Sequence, residues 1–238
     1  AHLVLRKVAA ERDRPETTAR AGEWARARAV AAGEALATLG LLPAADAPLP
    51  EPPADLRAEA ERRVAEVPVA MGGAGDLRLL HAAVALSRAG RVVETGVAYG
   101  WSSLAILAGQ AGRTDARLVS VDMPYPKRGG ERFVGAAVPE GLRAGWTLLR
   151  MPDRPGIDRA IAQLGGAIDL CHYDSDKSLA GRRYAYPKLW AALVPGGVFI
   201  SDDIQDNWAF REFVEARSLP FAVTESAGKF VGIAVKPR

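Results

Sequence analysis

From Asp76 onward, short apolar runs alternate with helical stretches along the chain. The apolar runs cover residues 91–95, 117–122, 146–150, 167–174 and 197–203. Strands of near-continuous hydrophobicity separated by helices are typical of a parallel sheet that helices cover on both faces. The pattern therefore predicts an α/β fold in which the helices near 102–112 and 178–193 serve as crossovers between strands.

The last two apolar runs follow each other closely. They cover residues 221–226 and 229–236, and only Ala227 and Gly228 separate them. A connection of two residues joins antiparallel strands, because a parallel pair needs a crossover of a dozen residues or more. The sheet is therefore predicted to end in an antiparallel strand.

The first 75 residues show a different pattern. Apolar residues at spacings of three and four between Trp24 and Ala35 predict one helix, which Thr17 or Thr18 caps and Gly40 ends. Five prolines between residues 43 and 53 predict an irregular linker. A further apolar stripe from Leu56 to Val67 predicts a second helix.

This change of pattern predicts two parts of the chain. We expect residues 1–75 to form a helical arm or lid and residues 76–238 to form a ligand-binding domain, with Asp76 capping the domain's first helix. A helical decoration without a functional role is the alternative for the arm. Contacts in a homodimer are a further use that the sequence leaves open.

Composition narrows the class of protein. The chain has 238 residues, of which 49% are hydrophobic and 25% charged, so it can bury a core and is not disordered. No apolar run approaches the roughly 18 residues that a membrane span needs. The single cysteine, Cys171, excludes an intramolecular disulfide framework and a multi-thiolate metal site.

The charge of the chain gives little further information about its function. The net charge of +3 is small and the basic and acidic residues are interspersed, which gives no reason to expect nucleic acid binding. Acidic residues among the first 23 argue against a transit peptide. We therefore expect a cytoplasmic, soluble protein with a small-molecule ligand.

The turn after the first strand of the domain carries a candidate ligand site. Its glycines let the backbone approach a ligand closely, and the following helix offers free amide groups. The candidate residues are Glu94, Thr95, Gly96, Tyr99, Gly100 and Ser102. Because the glycine spacing is Gly-x-x-x-Gly rather than Gly-x-Gly-x-x-Gly, the sequence disfavours a nicotinamide or flavin enzyme.

Two acidic residues follow the next strands. Asp122 ends the second strand, where a carboxylate can accept hydrogen bonds from both hydroxyls of a ribose. A loop carboxylate or a helix cap is the alternative. Asp153 follows the third strand, where it could bind the amino group of an adenine.

A cluster of carboxylates follows the fourth and fifth strands. Asp174, Asp202 and Asp203 are expected to face one cleft, where they would raise one another's pKa. A hard divalent cation such as Mg²⁺ would remove this repulsion, and Lys177 would neutralise part of it. In the alternative, Asp202 and Asp203 cap a helix and Asp174 pairs with Lys177 or an arginine. His172 is interpreted as structural rather than catalytic.

Taken together, these motifs resemble the class I S-adenosylmethionine-dependent methyltransferases. The branch they resemble is methyltransferase type 24, which is similar to catechol-type and macrolide-sugar O-methyltransferases. The resemblance covers roughly residues 70–238 and includes Pro195-Gly196-Gly197 ahead of the fifth strand. It implies a Rossmann-like, mostly parallel sheet with an antiparallel last strand, here carrying an N-terminal helical extension.

The resemblance also implies roles for the site residues. S-adenosylmethionine would be the cofactor, contacted by the glycine-turn residues, Asp122, Asp153 and Asp174. In metal-dependent relatives, aspartates at the positions of Asp174, Asp202 and Asp203, the last of which is often asparagine, hold the cation, and a lysine at the position of Lys177 acts as the base. Asp174 and Lys177 are therefore the expected catalytic residues, with a small hydroxylated metabolite as the acceptor. Many members of the branch carry histidine at the position of Lys177.

Two other functions remain open at this point. Some relatives are associated with hydroxylation or pericyclic reactions, in which the bound S-adenosylmethionine keeps its methyl group. A non-catalytic module that binds an adenosine ligand is the other alternative. The intact set of Glu94, Asp122 and Asp174 favours a working site over this last possibility.

Overall fold

The computed structural model describes residues 16–124 and 129–238, which form one eight-stranded sheet between two layers of helices. The strands are β1 Ala29–Val30, β2 Arg91–Thr95, β3 Arg117–Asp122, β4 Trp146–Arg150, β5 Ile168–Tyr173, β6 Leu193–Ser201, β7 Phe221–Ser226 and β8 Lys229–Val235. The helices are α1 at residues 16–26, α2 Ala32–Thr38, α3 Ala54–Ala65, α4 Leu77–Ser87, α5 Trp101–Gly109, α6 Asp153–Gln163, α7 Leu179–Ala192 and α8 Ala209–Glu215. None of the helices in these two ranges is long and apolar enough to cross a membrane.

The direction in which the chain adds successive strands reverses once, at the centre of the sheet. The order is β1-β7-β8-β6-β5-β2-β3-β4, and among the described strands only β8 runs antiparallel to its neighbours. The chain runs outward from β2 to β4 and then returns to build β5 and β6 on the other side of β2. In such sheets ligands bind at the carboxyl ends of the strands that flank this switch point. The predicted α/β fold is confirmed.

Helices bury both faces of the central strands, which explains their unbroken hydrophobicity. Leu79 of α4 and Ile106 of α5 belong to the core on one face, and Ile157 of α6 and Leu189 of α7 belong to the core on the other. All four of these side chains are fully buried. A strand between two such layers cannot alternate apolar and polar residues, so the sequence shows continuous apolar runs instead.

The predicted hairpin at the end of the chain is confirmed. Strands β7 and β8 pair antiparallel through Ala227 and Gly228, whose φ angles are 50° and 77°. Positive φ at both central residues is the conformation of a type I′ turn, whose twist matches that of the strands it joins. The turn therefore fixes the register and places Lys229 at the start of β8.

The prediction of one unbroken helix, capped by Thr17 or Thr18 and ended by Gly40, is wrong. Helix α1 ends at residue 26, and the chain then extends into β1 before α2 begins. Strand β1 pairs in parallel with β7, with Ala29 opposite Val223. Pairing with the open edge of β7 outweighs the helical preference of the alanines, because an unpaired edge leaves backbone groups without partners.

Other contacts in this segment tie it to the sheet. Trp24 stacks on Phe221 with ring centroids 5.8 Å apart, and Ala25 and Leu36 are fully buried. Residues 1–15 of the predicted arm lie outside the described residues. That residues 1–75 act as a lid remains a prediction.

Candidate active site

A cavity of about 640 Å³ opens where the carboxyl ends of the central strands meet. Gly96 follows β2, Asp122 ends β3, Asp174 follows β5 and Asp202 follows β6, and all four residues line the cavity. A volume of this size suits a ligand as large as a nucleoside derivative together with a small second molecule. The cavity thus lies at the switch point that the strand order defines.

The glycine turn brings β2 close to β5. Gly96 has a φ of 81°, and a Cβ at this position would collide with the backbone carbonyl of Asp174. Gly100 has a φ of 85° and begins α5, where a Cβ would lie 2.9 Å from the Cα of Gly135. Gly96 and Ser102 line the cavity, whereas Gly100 contacts the segment behind it.

Three predicted site residues lie behind the cavity wall and support it. Glu94 is fully buried and accepts hydrogen bonds from Ser103 Oγ at 2.5 Å and Ser120 Oγ at 2.6 Å. Thr95 is also buried. Tyr99 donates a hydrogen bond from its hydroxyl to the carbonyl of Val69 at 2.7 Å. These contacts fix the glycine turn from beneath.

Asp122 is held firmly at the edge of the cavity. Arg150 Nη1 lies 2.5 Å from Asp122 Oδ2, and the backbone amide of Val97 also donates to this carboxyl group. Burial raises the pKa of Asp122, and the hydrogen bond from Arg150 opposes that increase. Each carboxylate oxygen accepts two hydrogen bonds, so Asp122 retains acceptor capacity toward the cavity.

Asp153 lines the same side of the cavity, at the first turn of α6. It accepts a hydrogen bond from Ser175 Oγ at 2.6 Å, and Ser175 Oγ also lies 2.9 Å from Thr95 Oγ1. Burial raises the pKa of Asp153, while the hydrogen bond from Ser175 lowers it. The serine therefore links the ends of β2, β5 and α6.

Asp174 faces the cavity with an unsatisfied oxygen. Its Oδ1 is buried, has no hydrogen-bond partner among the described residues and lies 3.5 Å from Lys177 Nζ. Burial and the nearby charge of Asp202 raise the pKa of Asp174 to about 6. A carboxylate that is poorly stabilised in its ionised form is well suited to accept a proton.

His172 lies beneath the cavity between two carboxylates. Its Nε2 is 3.2 Å from Asp202 Oδ1, and its Nδ1 is 3.7 Å from Glu94 Oε1. Burial alone would lower the pKa of His172, but Asp202 and Glu94 raise it to about 10. The imidazole is therefore protonated at neutral pH and carries a positive charge under Asp202.

Asp203, which was expected to face the cleft, is not among the described residues that line the cavity, and its carboxylate contacts two lysines. Lys177 Nζ donates a hydrogen bond to Asp203 Oδ2, and Lys229 Nζ lies 3.4 Å from Asp203 Oδ1. The amide of Gln205 donates to the same Oδ1 at 3.2 Å. Burial would raise the pKa of Asp203, but Lys177 and Lys229 hold it below its usual value.

The predicted metal site of Asp174, Asp202 and Asp203 does not fit a divalent cation. Among residues 16–124 and 129–238, no three His, Cys, Asp or Glu side chains come together as a metal-binding group. Both oxygens of Asp203 already bind nitrogen donors. The prediction counted only Lys177 as a neutralising charge, whereas the structure adds His172 and Lys229.

The structure also places residues in the site that the sequence analysis missed. The segment Met71–Gly75 crosses one side of the cavity, and a Cβ at Gly75 would lie 3.2 Å from Asp202 Oδ2. The glycines at 72, 73 and 75 were the available signal for this close approach. Lys229 lines the cavity too, and no sequence motif marks it because the hairpin alone brings it there.

Comparison with known proteins agrees with the α/β fold described above. Residues 93–204 match a family described as a methyltransferase domain. No curated protein matches the sequence.

Two solved structures illustrate the likeness. The O-methyltransferase TomG from Streptomyces achromogenes, involved in tomaymycin synthesis and solved with S-adenosylmethionine, has a TM-score of 0.57 and 20% identity over 79% of this chain and 92% of its own. The O-methyltransferase from Bacillus cereus, solved with S-adenosylhomocysteine, has a TM-score of 0.57 and 17% identity over 80% of this chain and 94% of its own. The predicted Rossmann-like methyltransferase fold is confirmed.

Proposed function

We propose that this chain, whose residues 93–204 match a methyltransferase-domain family, transfers the methyl group of S-adenosylmethionine to a hydroxyl oxygen of a small molecule. One observation carries the proposal. The cavity at the switch point has two acidic residues with free acceptor capacity, Asp122 and Asp153, on one side, and the Asp174–Lys177 pair on the other. The first pair suits the donor, and the second suits the acceptor.

The donor side of the cavity matches the parts of S-adenosylmethionine. Asp122 would accept hydrogen bonds from the ribose hydroxyls, with Arg150 fixing the orientation of its carboxylate. Asp153 would accept from the adenine amino group. The turn at Gly96 and the start of α5 at Ser102 would bind the methionine part, while Glu94, Thr95, Tyr99 and Gly100 hold the turn in place.

The reaction itself is an in-line displacement. The acceptor oxygen attacks the methyl carbon, the bond from that carbon to sulfur breaks, and its electron pair stays on sulfur as a neutral thioether. The acceptor's hydroxyl proton must leave as the new bond forms. The protein therefore has to align donor and acceptor, accept one proton and stabilise negative charge on the attacking oxygen.

The surroundings of Lys177 and Asp174 indicate which of the two side chains accepts the proton and which one stabilises the negative charge. Burial opposes the charge of Lys177, but Asp174 and Asp203 raise its pKa above the usual value, so its amine keeps its proton at neutral pH. Asp174 has an unpartnered oxygen and a pKa of about 6. In our proposal Asp174 accepts the proton and the Lys177 ammonium stabilises the oxyanion. The resemblance alone had assigned the proton to Lys177.

The assignment of Asp174 as the base also indicates how acidic the acceptor hydroxyl should be. A base with a pKa of about 6 removes a proton from a phenolic hydroxyl, with a pKa near 10, far more readily than from an aliphatic alcohol. We therefore propose a phenolic or similarly acidic hydroxyl as the acceptor group.

Transfer of labelled methyl groups tests the proposal. The full chain is incubated with methyl-labelled S-adenosylmethionine and a panel of phenols and aliphatic alcohols, next to the Asp174→Asn variant. We expect label in phenolic products with the parent chain and at least a hundredfold less with the variant, which still binds S-adenosylhomocysteine. Binding of the donor without transfer to any acceptor would favour a reaction in which the methyl group is retained.

A further inference from the structure

Each of the three carboxylates that the sequence predicted as metal ligands has a cationic side chain beside it. Lys177 lies 3.5 Å from Asp174, and His172 lies 3.2 Å from Asp202. Asp203 has two such partners, Lys177 and Lys229. The protein itself thus supplies three positive groups for three carboxylates.

Lys229 reaches this cluster from a distant part of the chain. It is the first residue of β8, its side chain is 51% exposed, and it lines the cavity 3.4 Å from Asp203 Oδ1. Gln205 reinforces the contact, since its amide nitrogen donates to Asp203 and its amide oxygen accepts from the backbone of Phe230 at 3.0 Å. The hairpin is therefore tied to Asp203 by an ion pair and a bridging amide.

These contacts leave Asp203 little capacity for a metal ion. Its side chain is only 5% exposed, and nitrogen donors approach both of its oxygens. A divalent cation would have to displace two ammonium groups, and it would then lie close to both of their charges. Asp174 and Asp202 alone would provide two of the three carboxylates that the sequence predicted as ligands.

We propose that Lys177 and Lys229 together replace a divalent cation at Asp203, so that methyl transfer proceeds without a metal ion. Lys229 is a positioning residue in this scheme. It shares the charge of Asp203, which leaves the Lys177 ammonium able to turn toward the acceptor oxygen. The inference rests on the proposed function and adds the source of the positive charge.

Metal binding can be measured without any catalytic assay. Mn²⁺ is titrated into the chelator-treated full chain and followed by electron paramagnetic resonance. We expect no binding to the parent chain below about 1 mM, and binding at least tenfold tighter in a Lys177→Met, Lys229→Met double variant, because Asp203 is then free. Adding Asp203→Ala to the double variant should abolish the gain. Tight binding to the parent chain that Asp203→Ala removes would overturn the proposal.

Turnover distinguishes a positioning role for Lys229 from a merely structural one. We expect Lys229→Gln to lower kcat about tenfold with the affinity for S-adenosylhomocysteine unchanged, and Lys229→Arg to restore most of the rate. Lys188→Met removes a surface ion pair with Asp158 and is the matched control, with parent activity expected. Equal kcat in Lys229→Gln and parent, or a parent activity that chelator removes and Mg²⁺ restores, would contradict the proposal. Failure of the parent chain to bind S-adenosylhomocysteine would instead refute the proposed function.

Discussion

His172 Nε2 lies 3.2 Å from Asp202 Oδ1, beneath the floor of the cavity. The pair links a side chain that is 2% exposed to one that lines the ligand site. On its other side the ring faces Glu94, whose second oxygen is held by Ser103 and Ser120. The charge of Asp202 is therefore balanced from below by a group that no ligand can reach.

Replacing His172 should destabilise the fold in a pH-dependent way. In His172→Asn the fully buried Glu94 and the half-buried Asp202 lose their cation, so we expect a loss of about 3 kcal/mol in the free energy of unfolding at pH 7. Because folding raises the pKa of His172 to about 10, its contribution is complete below pH 6.5 and is lost as the pH rises through 10. Thermal unfolding of parent and variant should therefore differ less at pH 10 than at pH 7.

His81 offers the matched control for this experiment. It is also buried, but it contacts the carbonyl of Ala105 rather than a carboxylate, and burial lowers its pKa. The difference between His81→Asn and parent should stay constant from pH 7 to pH 10. A His172→Asn difference that is likewise constant over this range would refute the imidazolium assignment.

Asp122 should contribute to donor binding through its charge. We expect Asp122→Ala to weaken the binding of S-adenosylhomocysteine by about 1.5–3 kcal/mol, because hydrogen bonds to a charged group are worth this much. Asp122→Asn should lie between parent and alanine variant. Asp115, an exposed residue ahead of β3, gives a control in Asp115→Ala that should bind as the parent does. Equal affinity of Asp122→Ala and parent by calorimetry would rule out the ribose contact.

The ionised Asp174 side chain should lower the free energy of unfolding, although it is needed for turnover. Folding raises its pKa from 3.8 to about 6, so the folded chain binds more protons than the unfolded chain in this window and stability falls as the pH rises through it. We expect Asp174→Asn to stabilise the fold at pH 8 by about 1 kcal/mol, a value discounted because the side chain is 34% exposed. At pH 4 the two chains should be equally stable.

The rate of the parent chain should follow the same ionisation. If Asp174 accepts the proton, kcat/KM rises with pH through about 6 and then levels off. Asp158→Asn changes an exposed carboxylate on α6 and should leave both the stability difference and this profile unaffected. A rate that is constant from pH 5 to pH 8 would exclude Asp174 as the base.

The N-terminal segment should matter for stability more than for binding. Trp24 is 8% exposed and stacks on Phe221 of β7, so Trp24→Ala is expected to cost about 3 kcal/mol. The affinity for S-adenosylhomocysteine should stay at the parent value, because this contact lies outside the cavity lining. Arg20→Ala is the surface control. A Trp24→Ala chain as stable as the parent would show that the segment is not part of the core.

The local pattern of apolar residues was sufficient to predict the central strands of the sheet. It was not sufficient to predict every residue of the candidate site. The bounds of β2, β3 and β4 follow from apolar runs, and the β7–β8 hairpin follows from a two-residue spacing. Strand β1 could not be predicted, because its pairing with β7 joins segments nearly 200 residues apart in the chain. The same reason applies to Lys229, which reaches Asp203 only once the hairpin has formed.

The predicted metal site shows which charges a single sequence leaves out of account. Three aspartates at strand ends were recognised as a source of repulsion, and Lys177 was recognised as one neutralising group. The contribution of His172 depends on the direction in which its ring points, and that of Lys229 depends on tertiary packing. Neither property has a signature in a single sequence.

The most direct test of this account is a calorimetric titration of S-adenosylhomocysteine into the full chain at neutral pH. The proposed donor site predicts one molecule bound per chain with a Kd in the micromolar range, which corresponds to about −8 kcal/mol. No heat of binding up to about 1 mM ligand, about −4 kcal/mol, would contradict the account, because the cavity would then not be a site for this cofactor.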